Sequence, residues 1–159
     1  MEKKNRKVYI IWIAVCEAVG LLAGTLTRQA AEIYNLVAVK PLFSPPGWVF
    51  PMVWTALYAL MGVGAAQITL SPFSTERSRG LNLMVTQLVV NFFWPLLFFN
   101  AQAYGFAFLW LLLLWLLVLW MIVEFYKTHP AAAYLQIPYL LWLTFAAYLN
   151  AAVWILNYG

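Results

Sequence analysis

The sequence predicts an all-α integral membrane protein, a bundle of five transmembrane helices. Three observations predict it. Of the 159 residues, 65% are hydrophobic and only 9% are charged, too little charge to cover a soluble domain of this size. The apolar residues come in long blocks, not stripes, and each block has about the 20 residues that cross a hydrocarbon core of about 30 Å. Five such blocks, separated by polar or proline-bearing stretches, use up the chain. Residues 1–159 therefore read as a single membrane domain with no room for a second, soluble one.

The first predicted span is 8–27. Gly20 and Gly24 form a GxxxG pattern that lets another helix approach closely. Glu17 lies near its middle. A carboxylate there costs several kcal/mol, so it must be protonated, paired or facing a cavity. Residues 28–45 read as a long connection, polar at its start and apolar later, able to fold over the bundle mouth as a lid.

The second span is 46–70. Pro45 and Pro46 suit the mouth of a helix, where a missing N–H costs nothing. Trp48 suits a membrane interface. Trp54, Tyr58, Met61 and Ala65 recur at helical spacing and share a face. Pro51 falls inside the predicted span and is expected to loosen its ladder near Gly47. Gly62 and Ala66 give a second small-residue face. Ser71–Gly80 reads as a hydrophilic loop.

The third span is 81–100. Gln87, Asn91, Trp94 and Phe98 share one face, and two amides in lipid require internal partners, so this face points into the bundle. Pro95 invites a kink. The fourth span, 105–125, has almost no polar handle and is expected to face lipid. His129, the single histidine, is expected to be solvated in the next turn. The fifth span is 131–156, with Trp142, Ala146 and Asn150 on one face.

Seven of the nine basic residues (Lys3, Lys4, Arg6, Lys7, Arg77, Arg79 and Lys127) fall on the side of the N-terminus, and Arg28 and Lys40 fall opposite. The positive-inside rule then places the N-terminus in the cytoplasm. The basic cluster at the start is short and abuts a span, so it reads as a topology signal and not as a nucleic-acid surface. It is also not expected to head a cleaved signal peptide, because the apolar run exceeds an h-region. A single cysteine, Cys16, excludes an internal disulfide.

No phosphate-binding glycine loop occurs, and no HExxH, CxxC or paired-histidine spacing offers a metal site. No Ser/His/Asp set is credible with one loop histidine. What remains is aromatic: 9 Trp, 9 Tyr and 11 Phe, with Trp54, Trp94 and Trp142 in mid-span on the polar-lined faces. Such walls suit a large, flat, mostly apolar ligand held by stacking and a few amide or hydroxyl bonds. The predicted binding wall is Trp54, Tyr58, Gln87, Asn91, Trp94, Trp142, Ala146 and Asn150, with Pro45 at its lip.

Three segments carry a resemblance. KPLFSPPGWVFPMVWTALYALMG from Lys40, QLVVNFFWPLLFF from Gln87 and PYLLWLTFAAYLNAAVW from Pro138 resemble, in order, the signatures of the translocator protein family, also called tryptophan-rich sensory proteins or peripheral-type benzodiazepine receptors. The likeness runs from Tyr34 to Asn157. It implies a five-helix membrane receptor or sensor, in bacteria a multi-pass protein of the cell membrane. The family is often dimeric and binds porphyrins and aromatic drugs in a pocket under the first long loop. It further implies that Trp54 and Trp142 are the pair for light- and oxygen-dependent porphyrin breakdown, and that Tyr34, Asn91 and Trp94 line the pocket. Porphyrin would be a ligand, not a resident cofactor. The family's sterol motif is broken, with Ala151 and Ile155 at its Tyr and Arg positions, so no specific cholesterol site is expected.

Two other function classes compete. An enzyme proper would need an acid, base or nucleophile that the spans do not place, although photochemistry of a bound pigment would not. A tetrapyrrole or lipid transporter would suit inverted repeats, and five spans do not divide into equal halves.

Overall fold

The computed structural model describes residues 2–158. It contains helices and connections, with no strand among the described residues. Helix α1 spans Glu2–Val37, α2 Val49–Thr69, α3 Thr75–Pro95, α4 Tyr104–Thr128, α5 Pro130–Tyr134 and α6 Ile137–Tyr158. Five segments are long and apolar enough to cross a membrane, α5 and α6 together forming the fifth. The protein is an all-α, multi-pass membrane bundle.

Several boundaries differ from expectation. Helix α1 does not stop at 27 but continues to Val37, so ten residues of the predicted lid, 28–37, are helical. Polar residues mark the end of a bilayer crossing, not of a helix. The segment RQAAEIYNLV has good helix formers, and Arg28 pairs with Glu32 one turn on at 3.7 Å. The true connection is 38–48. Its peptide groups are tied to α6: Asn157 accepts from the Val39 N–H and donates to the Val39 carbonyl, both at 3.1 Å, and the Tyr148 hydroxyl donates to the Leu42 carbonyl at 2.9 Å.

Helix α2 begins only at Val49, so Pro51 sits in its first turn and leaves no intrahelical bond unmade. The predicted loosening near Gly47 therefore does not arise. Residues 75–80 are helical too, because Ser74 caps α3 by accepting from the Arg77 N–H at 3.0 Å. The Arg77 guanidinium in turn donates to the Ile68 and Thr69 carbonyls at the end of α2.

The expected disturbance at Pro95 takes the form of one π turn, Leu96–Asn100. Proline has no N–H for the Asn91 carbonyl, and the register slips to i+5, as in Ala101 N–H to Leu96 O at 3.0 Å.

The core lies where α1, α2, α3, α4 and α6 converge, around Met61, Met84, Leu114, Val118 and Leu143. Gly62 sets the approach of α1 to α2: a Cβ there would stand 2.5 Å from the Ile13 Cα. Helix α4 corrects a second expectation. Its face of Leu111, Leu114, Val118, Met121 and Phe125 is buried against α3 and α6, and only the opposite face is exposed. Two of its three tryptophans find polar partners, Trp110 donating to the Val90 carbonyl and Trp115 to the Thr144 hydroxyl. His129 is not freely solvated either: its Nδ1 is buried between α4 and α5.

Candidate functional site

Where α1 and α2 part beyond Gly62, the bundle opens into a cavity of about 600 Å³. That is within the range of about 300–1,000 Å³ typical of small-molecule sites. It is walled by α1, α2, the end of α3 with its π turn, and α6. The sequence brings these walls together through stripes of aromatic residues at helical spacing; Tyr58 and Trp94 find partners for their polar tips inside, while the Trp142 indole N–H is buried without one among the described residues.

Trp54 on α2 is the central ring. It meets Trp142 of α6 edge to face, with centroids 6.5 Å apart and an interplanar angle of 90°. Tyr58 and Tyr139 lie 5.6 and 6.1 Å from it. Phe50 packs on the far side of Trp142 at 5.8 Å. On the opposing wall Trp94 stacks on Phe98 at 5.2 Å, and Tyr34 packs edge-on against Phe98 and Phe99, each at 5.4 Å. Aromatic pairs in these offset and edge geometries each contribute about 0.5–1.5 kcal/mol beyond the area they bury. The walls are therefore rigid before any ligand arrives.

Behind the rings runs a buried polar chain. The Tyr58 hydroxyl donates to Asn91 Oδ1 at 2.8 Å, the Asn91 amide donates to the Tyr139 hydroxyl at 2.6 Å, and that hydroxyl donates to Gln87 Oε1 at 2.7 Å. It links α2, α3 and α6. A second set fixes the other wall: the Trp94 indole donates to Asn150 Oδ1 at 3.0 Å, and the Asn150 amide to the Tyr104 carbonyl at 2.8 Å. Both amides are thus satisfied by protein, as membrane depth requires.

Eight of the ten residues expected in a binding wall line this cavity: Tyr34, Trp54, Tyr58, Asn91, Trp94, Trp142, Ala146 and Asn150. Two do not. Gln87 lies one turn below Asn91, fully buried, with its amide on the Met61 and Met84 sulfurs at 3.6 and 3.5 Å. It braces the Asn91–Tyr139 pair from beneath. Pro45 lies in the connection outside the lining, where Gly47 takes its place.

Sequence reasoning missed Tyr139 and Phe50. Tyr139 stands three residues before Trp142, so extending the α6 stripe by one turn would have reached it. Phe50 stands four residues before Trp54, so extending the α2 stripe by one turn would have reached it as well. Glu17, left without a role in the sequence, lines the cavity, with Oε1 buried and no hydrogen-bond partner among the described residues. No group of three or more His, Cys, Asp or Glu is placed to hold a metal among the described residues.

Comparison with known proteins agrees with this architecture. The sequence model of the TspO/MBR family matches residues 12–155. The chain is 35% identical over 146 residues to the tryptophan-rich protein TspO of Chlorobaculum tepidum, covering 91% of this chain and 92% of that one. It is 42% identical over 122 residues to the translocator protein of Sus scrofa, covering 76% and 72%. It is also 31% identical over 152 residues to a tryptophan-rich sensory protein of Cereibacter sphaeroides, covering 96% and 92%. The match spans nearly the whole bundle and all four walls of the cavity, and the chain belongs to the TspO/MBR family.

Proposed function

We propose that the protein is a membrane receptor or sensor that binds porphyrins and related flat aromatic ligands within the bundle. The observation that carries the reading is the cavity itself: rigid perpendicular tryptophans, Trp54 and Trp142, at 6.5 Å, faced by Trp94, with amides already committed to protein partners. A flat apolar ring gains stacking and sheds water there, while no charged group of the walls has to be stripped of a partner. The sensory name borne by the Cereibacter sphaeroides relative supports the same class.

Light-dependent breakdown of the bound pigment is a further step of this reading. The excited porphyrin and dissolved dioxygen supply the oxidising power, so the site needs no placed acid or base. Trp54 and Trp142 are the oxidisable side chains that flank the ring. Protein partners belong to the proposal as well: a homodimer in a bacterial cell membrane, N-terminus in the cytoplasm, with no specific cholesterol site.

The test is a titration of protoporphyrin in the dark, followed by tryptophan quenching and then by illumination. Saturable quenching and bleaching of the pigment are expected. Absence of binding would remove the receptor reading. Equal bleaching by the Trp54→Phe, Trp142→Phe double variant would remove the photochemical step and leave the receptor.

A further inference from the structure

We propose that Glu17 reads a nitrogen on the ligand: its carboxyl takes a hydrogen bond from a cationic or N–H nitrogen, so the cavity prefers flat aromatic ligands that carry one. The proposal rests on the reading of the cavity as a site for flat aromatic ligands.

Four observations lead to it. Glu17 lies in the bilayer-crossing part of α1 and lines the cavity, and its Oε1 is buried without a partner. The ion pairs of the described residues lie elsewhere, Arg28 with Glu32 and both Arg79 and Lys127 with Glu124. Arg28, the cation that shares the cavity lining, stands eleven residues further along α1, about 16 Å away along the helix axis. Among the described residues no cation therefore pairs with Glu17.

Many of the other polar groups in the lining are already engaged, although the Trp142 indole N–H on α6 is not. Tyr58 donates to Asn91, Asn150 is held by Trp94 and Tyr104, and the hydroxyls of Thr25, Thr27 and Thr55 donate to carbonyls of their own helices. Glu17 is the acidic group deep in the lining that retains a free acceptor. Gly20 and Gly24 follow it on the same face of α1: the Tyr58 ring fills the space over Gly20, whereas the cavity is open beside Gly24, with nothing within 4 Å of where a Cβ would be.

A carboxylate kept at membrane depth without a counter-charge is costly. A ligand that brings a donor nitrogen, and above all a positive one, relieves that cost on binding. A ligand of the same shape without the donor does not. This asymmetry discriminates more strongly than an added methylene, because it turns on a buried polar group left unpaired.

The experiment uses the full chain in nanodiscs and two probes with one ring system at neutral pH, 9-aminoacridine (cationic) and acridine (neutral). Both are titrated by tryptophan quenching against wild type, Glu17→Gln and Glu17→Ala, with protoporphyrin titrated in the dark alongside. Wild type should prefer 9-aminoacridine, and Glu17→Gln should weaken that probe about tenfold or more while acridine changes less than twofold. Glu17→Ala should show at least the same selective loss. Retained acridine affinity in the variants reports that the bundle is intact. Equal losses for both probes, unchanged affinity for both, or a wild type without preference would overturn the role of Glu17. If wild type binds protoporphyrin but the acridines show no selectivity, the Glu17 assignment alone falls. If wild type binds neither protoporphyrin nor the acridines, the receptor reading falls and this proposal falls with it.

Discussion

Changing Tyr139 to phenylalanine tests whether the buried polar chain holds the cavity walls in place. Tyr139 is 1% exposed, and its hydroxyl makes two bonds, accepting from the Asn91 amide at 2.6 Å and donating to Gln87 Oε1 at 2.7 Å. Its removal orphans an amide hydrogen on one residue and a carbonyl oxygen on the other, both out of reach of water. Side-chain hydrogen bonds inside membrane bundles contribute about 0.6 kcal/mol on average and about 1.7 kcal/mol at most. Two of them give a loss of about 1.2 kcal/mol, bounded near about 3.4 kcal/mol. For a chain of this length that lowers the unfolding midpoint by roughly 2–5 °C at the average value. The protein carries its own reporter, since Cys16, the single cysteine, is fully buried and labels only on unfolding. Heating in detergent with a thiol-reactive dye gives the midpoint. Adding Gln87→Leu to Tyr139→Phe removes one of the orphans, so the double variant should be less destabilised than the sum of the single ones. A Tyr139→Phe midpoint equal to wild type, or strictly additive losses, would refute the argument that this chain of bonds stabilises the walls.

Four further outcomes follow from the geometry. Trp54→Ala removes the central ring, and protoporphyrin affinity measured in the dark should fall about two- to tenfold from lost aromatic contact alone. Gly24→Leu places a side chain in open cavity and Gly62→Leu drives one into the Ile13 backbone; the first should keep the wild-type unfolding midpoint and lose ligand, whereas the second should lose about 1–3 kcal/mol of stability or fail to accumulate. Asn157→Ala frees both Val39 peptide groups, so the connection 38–48 should open more often and ligand dissociation in stopped flow should quicken by about tenfold, from loss of roughly 1.4 kcal/mol across the two bonds. A phosphatase domain fused after residue 159 should be active outside the cytoplasm if the N-terminus is inside; activity of a cytoplasm-dependent reporter there would reverse the topology.

How far the sequence could be read depended on which physical signal each feature leaves. Hydrophobic blocks report where the chain is buried in lipid, so all five crossings were legible. The same signal is silent about helix that continues into water, which is why Arg28–Val37 and Thr75–Gly80 were read as loop although both are helical. Side chains placed at helical spacing report a shared face, so the pairing of Trp54 with Tyr58, and of Asn91 with Trp94, is legible from sequence alone. Spacing does not report depth. Gln87 is on the right face and one turn too low, and only the Tyr139 hydroxyl at 2.7 Å shows that it supports the lining from beneath. The long-range ties were least legible of all. Asn157 and Val39 are 118 residues apart, and neither residue type nor neighbourhood marks them as partners.

The same distinction applies to Glu17. A lone carboxyl within an apolar block is conspicuous in sequence because burial of charge is costly. Its meaning depends on what stands opposite, and no pattern along α1 contains that information. The fold supplies it by elimination: the described ion pairs lie elsewhere, Tyr58, Asn150 and the lining threonines are bonded, and the cavity is open beside Gly24. A binding wall of rings alone would hold flat ligands with little regard for their polar groups, since stacking depends mainly on shape and area. One unneutralised acceptor changes that, because its cost is removed only by a ligand that brings a donor to the right place. On the proposed reading, selectivity in this bundle turns on one polar residue, and the aromatic walls provide the affinity that brings a ligand within its reach.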